Sequence, residues 1–444
     1  MVLSPPQAVL EIARRLRDHG HQAWAVGGAV RDALLGRPSG DWDVATDAPP
    51  AEVRRIFRRT VPIGIEHGTV GVLGRDGVLY EVTTFRRDVE TFGRHAVVEF
   101  AETIEEDLSR RDFTINAIAW NPLTDELRDP FGGEPDLRAH VLRTVGEPAD
   151  RFAEDFLRVL RALRFAGHFD LQIETRTWQA LRQAVDHLDV LSAERIREEL
   201  WKVLGKTRFA AATLHLYEQA GVLARLYPEL AATVGLGVGE ADRDVWSITL
   251  AAVDAVPPSR PLLRVATLLH GIGYPAARTR GLGGDWRYTG HETFGGRKAE
   301  DVMRRLKASN ADTHRVMMLV SRQSDLFPPD APDAIVRRWL LHVPPDLVYD
   351  LFRLRIALWR ADPKARGDRD LIERWRSAHR VLLRRPVISV GDLAINGSDL
   401  RELGLTPGPR YGEILRLLLD RVIDDPDLNG RDPLLRIVRE EALD

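Results

Sequence analysis

The chain has 444 residues, which is too long for one hydrophobic core, so we expect about two to four domains. A hydrophobic content of 44% and a charged content of 29% are ordinary for a globular protein. The net charge of −3 argues against a surface coated with nucleic-acid-binding charge but not against a local basic groove. The absence of cysteine excludes disulfides and thiolate zinc sites and favours a cytoplasmic location. We expect neither a signal peptide nor a membrane span, because the required apolar runs are missing.

The first informative stretch reads WAVGGAVRDALLGRPSGDWDV. Residues 21–26 form an apolar run that predicts a buried strand, and residues 29–35 predict a short helix. Between them, Gly27 and Gly28 predict a turn whose backbone a ligand can approach without meeting a Cβ. Because free N–H groups at a helix start attract phosphate oxygens, we expect a phosphate-binding turn here, followed by Arg31.

Two aspartates, Asp41 and Asp43, end this stretch. Residues two apart on a strand point to the same face, so their carboxylates are expected to lie together. The two carboxylates repel each other unless a divalent cation binds between them. A metal site of this kind next to a phosphate-binding turn predicts phosphoryl or nucleotidyl transfer. Glu81, on the second arm of a predicted hairpin, is a candidate third carboxylate and equally a candidate solvated residue. The alternative for the pair is a chance surface turn, which the adjoining GGAVRD makes less favoured.

The rest of the first third predicts mixed structure. Residues 85–100 are polar and charged and predict a mobile loop, whereas RRDFTINAIAW, at 110–120, predicts a helix. From about residue 150 the pattern becomes amphipathic helices, one after another. The sequence therefore predicts an α+β protein, with a mixed-sheet catalytic head on an all-helical remainder.

The second informative stretch, residues 149–169, predicts a single helix with one buried stripe. On its other side Asp155 and Arg158 are neighbours three residues apart. An Asp can accept a hydrogen bond from the exocyclic amine of cytosine or adenine while an Arg donates to the ring, so this pair could select C and A. Arg161 and Arg164 would remain for the triphosphate or for packing against the head. The alternative is a solvated helix face with an ion pair.

Taken in order, these motifs resemble one family. GGAVRDALLGR, DWD, YEVTTFR, RRDFTINAIA, DPFGGEPDL, EDFLRVLRALRFA and SAERIREEL look like the class II tRNA nucleotidyltransferase and bacterial poly(A) polymerase family over roughly residues 21–204. The resemblance implies a nucleotidyltransferase-fold head followed by a helical neck, body and tail. We place them at residues 1–145, 146–205, 206–330 and 331–444, with a degenerate HD-like segment in the body.

The resemblance also implies roles for the positions that match the family motifs. The matching positions are Asp41 and Asp43 for metal binding, Gly28 and Arg31 for the triphosphate, Arg111 and Asp112 for nucleotide contact and ribose selection, Asp155 and Arg158 as a protein template for the base, and Arg161 and Arg164 for further nucleotide contacts.

The implied activity is template-independent addition of C and A from CTP and ATP to the 3′ end of tRNA, with two Mg²⁺ ions. The helical part is expected to recognise the tRNA acceptor arm by shape and phosphate contacts. An intact EDxxR motif and an acidic end, EEALD, favour tRNA over poly(A) synthesis. The alternatives are a CC-adding or A-adding enzyme of a split pair, a poly(A) polymerase, and a catalytically inactive RNA-binding relative.

Two departures from the family pattern bear on function. Residues 92–96 read FGRHA where the family has Tyr-x-Asp-x-Arg-Arg-Pro in its flexible loop, which leaves full CCA addition open. In the HD-like segment His270 is followed by Gly271 instead of Asp, although His291 and Asp301 remain. We therefore predict no phosphohydrolase activity and a scaffolding role for this segment.

Overall fold

The computed structural model describes residues 3–38, 40–65, 68–92, 95–237, 243–282, 286–362 and 370–441. The chain divides into two compact units, Met1–Val203 with Phe209–Pro228 and Leu204–Arg208 with Glu229–Asp444. Where described, the first unit contains a mixed sheet with helices and the second is almost entirely helical. The expected α+β fold class is therefore confirmed, whereas the four predicted domain boundaries stay a prediction.

The strands of the first unit are short. They are β1 (Trp24–Val26), β2 (Asp43–Thr46), β3 (Thr60–Gly64), β4 (Thr69–Leu73), β5 (Leu79–Thr84), β6 (Arg86–Phe92), β7 (His95–Phe100), β8 (Ala119–Asn121), β9 (Glu126–Arg128), β10 (Val141–Leu142) and β11 (Gln172–Ile173). Among the described residues, seven of these strands form one sheet in the order β3-β4-β5-β2-β1-β8-β9. Within that sheet β2 and β5 are parallel, and the other neighbours are antiparallel.

The helices of this unit surround the sheet and continue beyond it. They are α1 (Gln7–Asp18), α2 (Gly28–Leu34), α3 (Pro50–Ile56), α4 (Ile104–Ser109), α5 (Gly133–Arg138), α6 (Pro148–Glu154), α7 (Leu157–Phe169), α8 (Thr175–Ala184), α9 (Ala193–Lys206), α10 (Ala210–Ala220) and α11 (Val222–Leu226). The predicted strand, glycine turn and short helix of the opening stretch are confirmed as β1, Gly27 and α2.

Strand alternation gives the sheet two unlike faces. At β5, Tyr80 and Val82 are buried on the face that meets α1 and α3, whereas Leu79 and Glu81 are exposed on the other face. The hairpin joining β4 to β5 turns at Gly77, whose φ of +80° suits glycine, and the Gly74 N–H donates to the Val78 carbonyl at 2.8 Å. The Asp-Gly turn predicted here is confirmed.

Three secondary-structure predictions for the first unit were wrong, and two of them concern residues 85–100 and 110–120. Residues 85–100 are not a loop, because β6 and β7 pair as an antiparallel two-stranded sheet, apart from Gly93 and Arg94, which lie outside the described residues. Pairing satisfies backbone groups that a long loop would leave to water. Residues 110–120 are not a helix but a 3₁₀ turn at Thr114–Asn116 followed by β8, because β8 pairs with both β1 and β9.

The predicted single helix at 149–169 is also interrupted. α6 ends at Glu154, and Asp155 adopts the extended conformation, with φ −155° and ψ 104°, before α7 begins at Leu157. The Asp155 Oδ1 atom accepts from the Leu157 N–H at 3.1 Å, so the aspartate bonds to the start of the new helix instead of continuing the old one.

Among its described residues, the second unit is helical apart from one small two-stranded sheet. Its elements are α12 (Pro228–Ala231), α13 (Val245–Ala255), α14 (Pro261–Leu269), α15 (Tyr274–Ala277), β12 (Thr279–Arg280), β13 (Trp286–Arg287), α16 (His291–Arg305), α17 (Asn310–Ser321), α18 (Asp333–Leu340), α19 (Pro345–Ala361), α20 (Leu371–Leu383), α21 (Gly397–Glu402), α22 (Pro409–Asp424) and α23 (Arg431–Glu441). A separate apolar cluster forms at its C-terminal end around Leu400, Leu418 and Leu434. None of the helices in the described ranges is long and apolar enough to cross a bilayer.

The residues of the HD-like segment lie among these helices. His270 is buried at the end of α14, its Nδ1 is 2.8 Å from the Thr267 carbonyl oxygen, and burial lowers its pKa to about 4. The His291 ring stacks on Tyr274 at a centroid distance of 3.9 Å, and Asp301 is exposed. The predicted lack of phosphohydrolase activity remains a prediction.

Candidate active site

Strand pairing brings the candidate carboxylates of the head together. Asp43 opens β2, and the parallel register that pairs Val44 with Val82 places Asp43 beside Glu81 on the same face of the sheet. Asp41 lies two residues before this strand position and is exposed. The three carboxylates therefore lie together where β2 begins, at the edge of the sheet formed by strand ends; the sequence predicted this for the two aspartates and left it open for Glu81.

Negative charge dominates the electrostatics of this edge. Burial raises the pKa of Asp43 to about 6, the charges of Glu81 and Asp41 raise it too, and only Arg111 opposes them. No three His, Asp or Glu side chains in the described ranges are arranged as a ready-made metal site. Mg²⁺, however, is held by one or two carboxylates together with substrate phosphates and water, so the oxygen donors at this edge fit that ion.

The glycine turn adjoins the same edge. Gly27 has φ +71°, and a Cβ there would lie 2.8 Å from Nη1 of Arg111, so glycine is required for both the backbone and the close approach. Arg111 donates from Nη2 to Asp107 Oδ2 at 3.2 Å and from Nη1 to the Asn116 carbonyl oxygen at 3.3 Å. These contacts hold the Arg111 guanidinium beside the turn, and its charge acts on Asp43. A Cβ on Gly28 would lie 3.5 Å from Nη2 of Arg31, in ordinary contact.

Arg31 itself is more buried than a simple phosphate ligand would be. It donates to Asp32 at 2.7 Å and to Asn116 Oδ1 at 2.6 Å, and its guanidinium lies 4.3 Å from the centre of the Phe169 ring. Burial lowers its pKa while Asp32 raises it. Asp32 already balances the charge of Arg31, so direct contact with a triphosphate stays a prediction.

Asp112 connects the head to α7. Its Oδ2 accepts from Arg161 Nη2 at 2.6 Å, and its Oδ1 accepts from Asn116 Nδ2 at 3.0 Å. Burial alone would raise the pKa of Asp112, but the Arg161 charge and these hydrogen bonds bring it below its ordinary value. Arg161 therefore packs against the head, and the nucleotide contact also suggested for it stays a prediction.

Asp155 and Arg158 do not form the ion pair that the single-helix interpretation suggested. The Asp155 Oδ2 atom accepts from Arg195 Nη2 at 2.6 Å. Arg158 instead pairs with Glu154 and donates to the Arg151 carbonyl oxygen at 2.9 Å. The correction follows from the break at Asp155, which turns the two side chains toward different partners.

Arg164 is held by an acid from α9. Its Nε donates to Glu199 Oε2 at 2.7 Å, and Lys202 Nζ donates to the other oxygen at 2.8 Å. Glu199 is 1% exposed; burial would raise its pKa, but Arg164 and Lys202 bring it below the ordinary value. Four charged groups around α7 are thus fixed by partners from other elements: Asp112, Asp155, Arg158 and Arg164.

Comparison with known proteins decides the family. Residues 23–143 match the model of the Poly A polymerase head domain, and residues 170–233 match that of the probable RNA and SrmB-binding site of polymerase A. The chain is 34% identical over 438 residues to the CCA-adding enzyme of Geobacillus stearothermophilus, covering 97% of this chain and 96% of that one. The chain belongs to the CCA-adding enzyme family.

Further relatives agree with this assignment. The match to the CCA-adding enzyme of Anoxybacillus flavithermus is 48% identical over 224 residues but spans only 50% of this chain and 55% of that enzyme. The crystal structure of the Bacillus stearothermophilus CCA-adding enzyme in complex with CTP superimposes with a TM-score of 0.76 at 31% identity, covering 98% and 99% of the two chains. The resemblance inferred from the motifs is therefore confirmed.

In this member of the CCA-adding family, the sequence did not reveal which residues hold the predicted site residues in place. Asn116 bridges Arg31 and Asp112, while Arg195 and Glu199, on one side of α9, hold Asp155 and Arg164. Charge balance could have indicated these residues, because a buried charged side chain requires a partner of opposite charge. The motifs RRDFTINAIA and SAERIREEL already contained all three residues.

Proposed function

We propose that this chain adds CMP and AMP, from CTP and ATP, to the 3′ end of tRNA without a nucleic-acid template. The observation that carries the proposal is the meeting of Asp43, Glu81 and Asp41 at one sheet edge, beside the turn that Arg111 approaches. The long alignment with a CCA-adding enzyme and the similarity to one crystallised with CTP support it.

Asp41 and Asp43 are the residues proposed to hold Mg²⁺. Their oxygen donors suit this hard cation, and the raised pKa of Asp43 indicates that positive charge would be favourable there. When bound, Mg²⁺ would supply Lewis-acid stabilisation of the attacking 3′-oxygen and of the leaving pyrophosphate.

The reaction joins the RNA 3′-oxygen to the α-phosphorus of the incoming nucleotide, while the bond from that phosphorus to the pyrophosphate oxygen breaks. Glu81, exposed beside Asp43, is proposed to accept the proton of the 3′-hydroxyl. The turn at Gly27 and Gly28, with Arg31 and Arg111, is proposed to contact the triphosphate.

Base choice is assigned to Asp155 and Arg158, with Arg161 and Arg164 as further nucleotide contacts. Arg195 and the Leu157 N–H hold the Asp155 carboxylate in place. Its remaining lone pairs therefore have a fixed direction in which they can accept a hydrogen bond from the amine of C or A. Glu154 and the Arg151 carbonyl hold the Arg158 guanidinium, which fixes the direction of the N–H groups that would donate to the base. Fixed donors and acceptors discriminate better than mobile ones, because less ordering is needed when the nucleotide binds.

The helical part of the chain is proposed to bind the acceptor arm of tRNA. Duplex RNA is recognised mainly by shape and by phosphate and ribose contacts, which a helical surface can supply. We also propose a cytoplasmic location, where tRNA, CTP and ATP are found together.

The deciding experiment incubates the protein with Mg²⁺, labelled CTP or ATP, and tRNAs that lack CCA, CA or only the terminal A. Addition of C, C and A followed by a stop would establish complete CCA synthesis. A halt after CC, or action only on the CC-ended tRNA, would identify one enzyme of a split pair. Long A tails would identify a poly(A) polymerase, and no incorporation with any tRNA would overturn the proposal in favour of an inactive RNA-binding relative.

A further inference from the structure

One end of the mixed sheet exposes apolar side chains beside the carboxylates. Within the described part of residues 3–145, the exposed large apolar side chains are those of Val61, Ile63, Val78, Leu79 and Phe100. Three of them, Val61, Ile63 and Leu79, are 42–45% exposed on β3 and the start of β5. Exposed apolar groups gathered at one place mark a binding surface more often than scattered ones do.

Strand register places these three side chains on the carboxylate face. Val61 pairs with Gly71, and Gly71 pairs with Glu81. A Cβ on Gly71 would lie 2.7 Å from Cδ1 of Ile63 and 3.0 Å from Cδ1 of Leu79, so these two side chains meet over the glycine. We call Val61, Ile63 and Leu79 over Gly71 the apolar platform.

The platform lies on one side of the carboxylates and the nucleotide-binding turn on the other. In the sheet order, β4 and β3 follow β5 on the side away from β2, whereas β1, which leads into Gly27, is on the opposite side of β2. Leu79 lies on β5 itself, two residues before Glu81, whereas Val61 and Ile63 lie on β3, two strands or about 10 Å from β5, because neighbouring strands are about 4.8 Å apart.

We propose that the apolar platform binds the bases of the last nucleotides of the single-stranded RNA 3′ end. This inference rests on the proposed function, because the reacting 3′-hydroxyl must lie at the carboxylates. With the incoming nucleotide on the Gly27 side, the RNA strand approaches across β5 and β4, where the platform lies.

The chemistry of the platform suits a strand whose terminal base changes at every step. Before each addition the 3′ end carries a different residue, so hydrogen-bond recognition of one base would reject the next. Aliphatic side chains contact the face of any base and, unlike a hydrogen-bonding edge, carry no sequence preference. The platform is therefore the sequence-tolerant counterpart of the base-selecting site around Asp155 and Arg158.

The first test compares the double variant Ile63→Ser/Leu79→Ser with Val78→Ser in the full-length protein. Val78 is 46% exposed and adjoins Leu79, but it lies in the turn before β5 and is not among the side chains nearest to Gly71, which makes it a matched control. The double variant is expected to raise the KM for CC-ended tRNA about tenfold, with the KM for ATP within about twofold of wild type. The control is expected to match wild type in both constants, and thermal melting would verify that all three proteins fold.

A second test does not depend on catalysis. A CC-ended tRNA whose last base carries a photoreactive thiocarbonyl is irradiated with the metal-free protein, and the cross-linked peptides are identified by mass spectrometry. Cross-links to residues 60–64 or 78–81 are expected in wild type and should be lost in the double variant.

The outcomes separate this inference from the proposed function. The platform alone would be overturned if wild type adds nucleotides, the double variant behaves like Val78→Ser, and the cross-links lie elsewhere. An inactive wild type would overturn the proposed function, and the cross-links would then decide whether RNA occupies the platform. A wild-type dimer that becomes a monomer in the double variant would show that a second copy covers this face, which overturns the proposal.

Discussion

Two charged regions of the first unit contrast with each other. At the sheet edge, Asp41, Asp43 and Glu81 have no ion pair within the described residues, and the pKa of Asp43 is raised to about 6. Around α7 each acid has a basic partner, with Asp112 2.6 Å from Arg161 and Glu199 2.7 Å from Arg164, and the pKa values of both acids are lowered.

The difference shows that charged side chains serve two purposes in this unit, binding a cation and fixing the orientation of other side chains. Carboxylates left without a cation favour the binding of one from outside, which is what metal-assisted transfer requires. Acids and arginines that neutralise each other have little affinity for a free ion, but their orientation is fixed, which is what discrimination between bases requires. Substitutions that remove or create an unpaired charge in one region should therefore act differently from the same substitutions in the other.

The largest expected effect is on catalysis at the sheet edge. Asp43→Asn should lower nucleotide addition by at least about 10³-fold, because the metal loses a ligand, while the unfolding transition stays at the wild-type temperature or rises. Mg²⁺-dependent pyrophosphate release and thermal melting measure the two quantities. Glu126→Gln, an exposed acid on β9 of the same sheet, is the control and should keep its activity. An active Asp43→Asn protein would contradict the assignment.

The next largest effect is on stability at the paired region. Arg161→Met should destabilise the protein by about 3 kcal/mol, because Asp112 would remain buried without its cation. Urea unfolding at neutral pH measures this free energy. The double variant Asp112→Asn/Arg161→Met should recover much of the loss, and a single variant as stable as wild type would show that the pair has no structural role.

A smaller effect is expected on base selection. Arg195→Ala releases Asp155 from its hydrogen bond, so discrimination between CTP and UTP should fall by about tenfold, with little change in the rate with CTP. The measurement is the ratio of kcat/KM for the two nucleotides on tRNA lacking CCA. Arg176→Ala removes an exposed ion pair with Glu147 and serves as the control. Unchanged discrimination would argue against a fixed acceptor at Asp155.

The smallest effect is a pH dependence of opposite sign in the two regions. The folded-state pKa of Glu199 lies below its unfolded value, so its contribution to stability is present above about pH 4.5 and is lost as the pH falls through the folded pKa. The pKa of Asp43 is raised to about 6, so in metal-free protein its contribution decreases as the pH rises from about 4 to 6.

Unfolding free energies of wild type, Glu199→Gln and Asp43→Asn, measured in EDTA between pH 3 and 7, would reveal the two signs. Glu199→Gln should flatten the acid side of the profile, whereas Asp43→Asn should remove the decline between about pH 4 and 6. Identical profiles for all three proteins would show that neither carboxyl differs between its folded and unfolded environments.

Rules of local sequence predicted the structure correctly where the contacts that determine it lie within a few residues of each other. The i, i+2 spacing correctly predicted that Asp41 lies near Asp43, although β2 begins only at Asp43. The glycine pair predicted the turn before α2, and Asp76-Gly77 predicted the β4–β5 hairpin. The same reasoning failed at 85–100 and at 110–120, where the outcome depends on pairing with other strands.

The sequence by itself determined the family, the α+β class and the identity of the candidate residues, because motif order and short-range spacing survive without a fold. The tertiary structure alone decided their partners: Glu81 beside Asp43, Arg161 on Asp112, and Arg195 on Asp155 across 40 residues of chain. The physical reason is that an ion pair or a strand pairing depends on which elements meet in space. Local propensity carries no information about that meeting, and the ion pair with Arg158 that it offered as an alternative for Asp155 does not form.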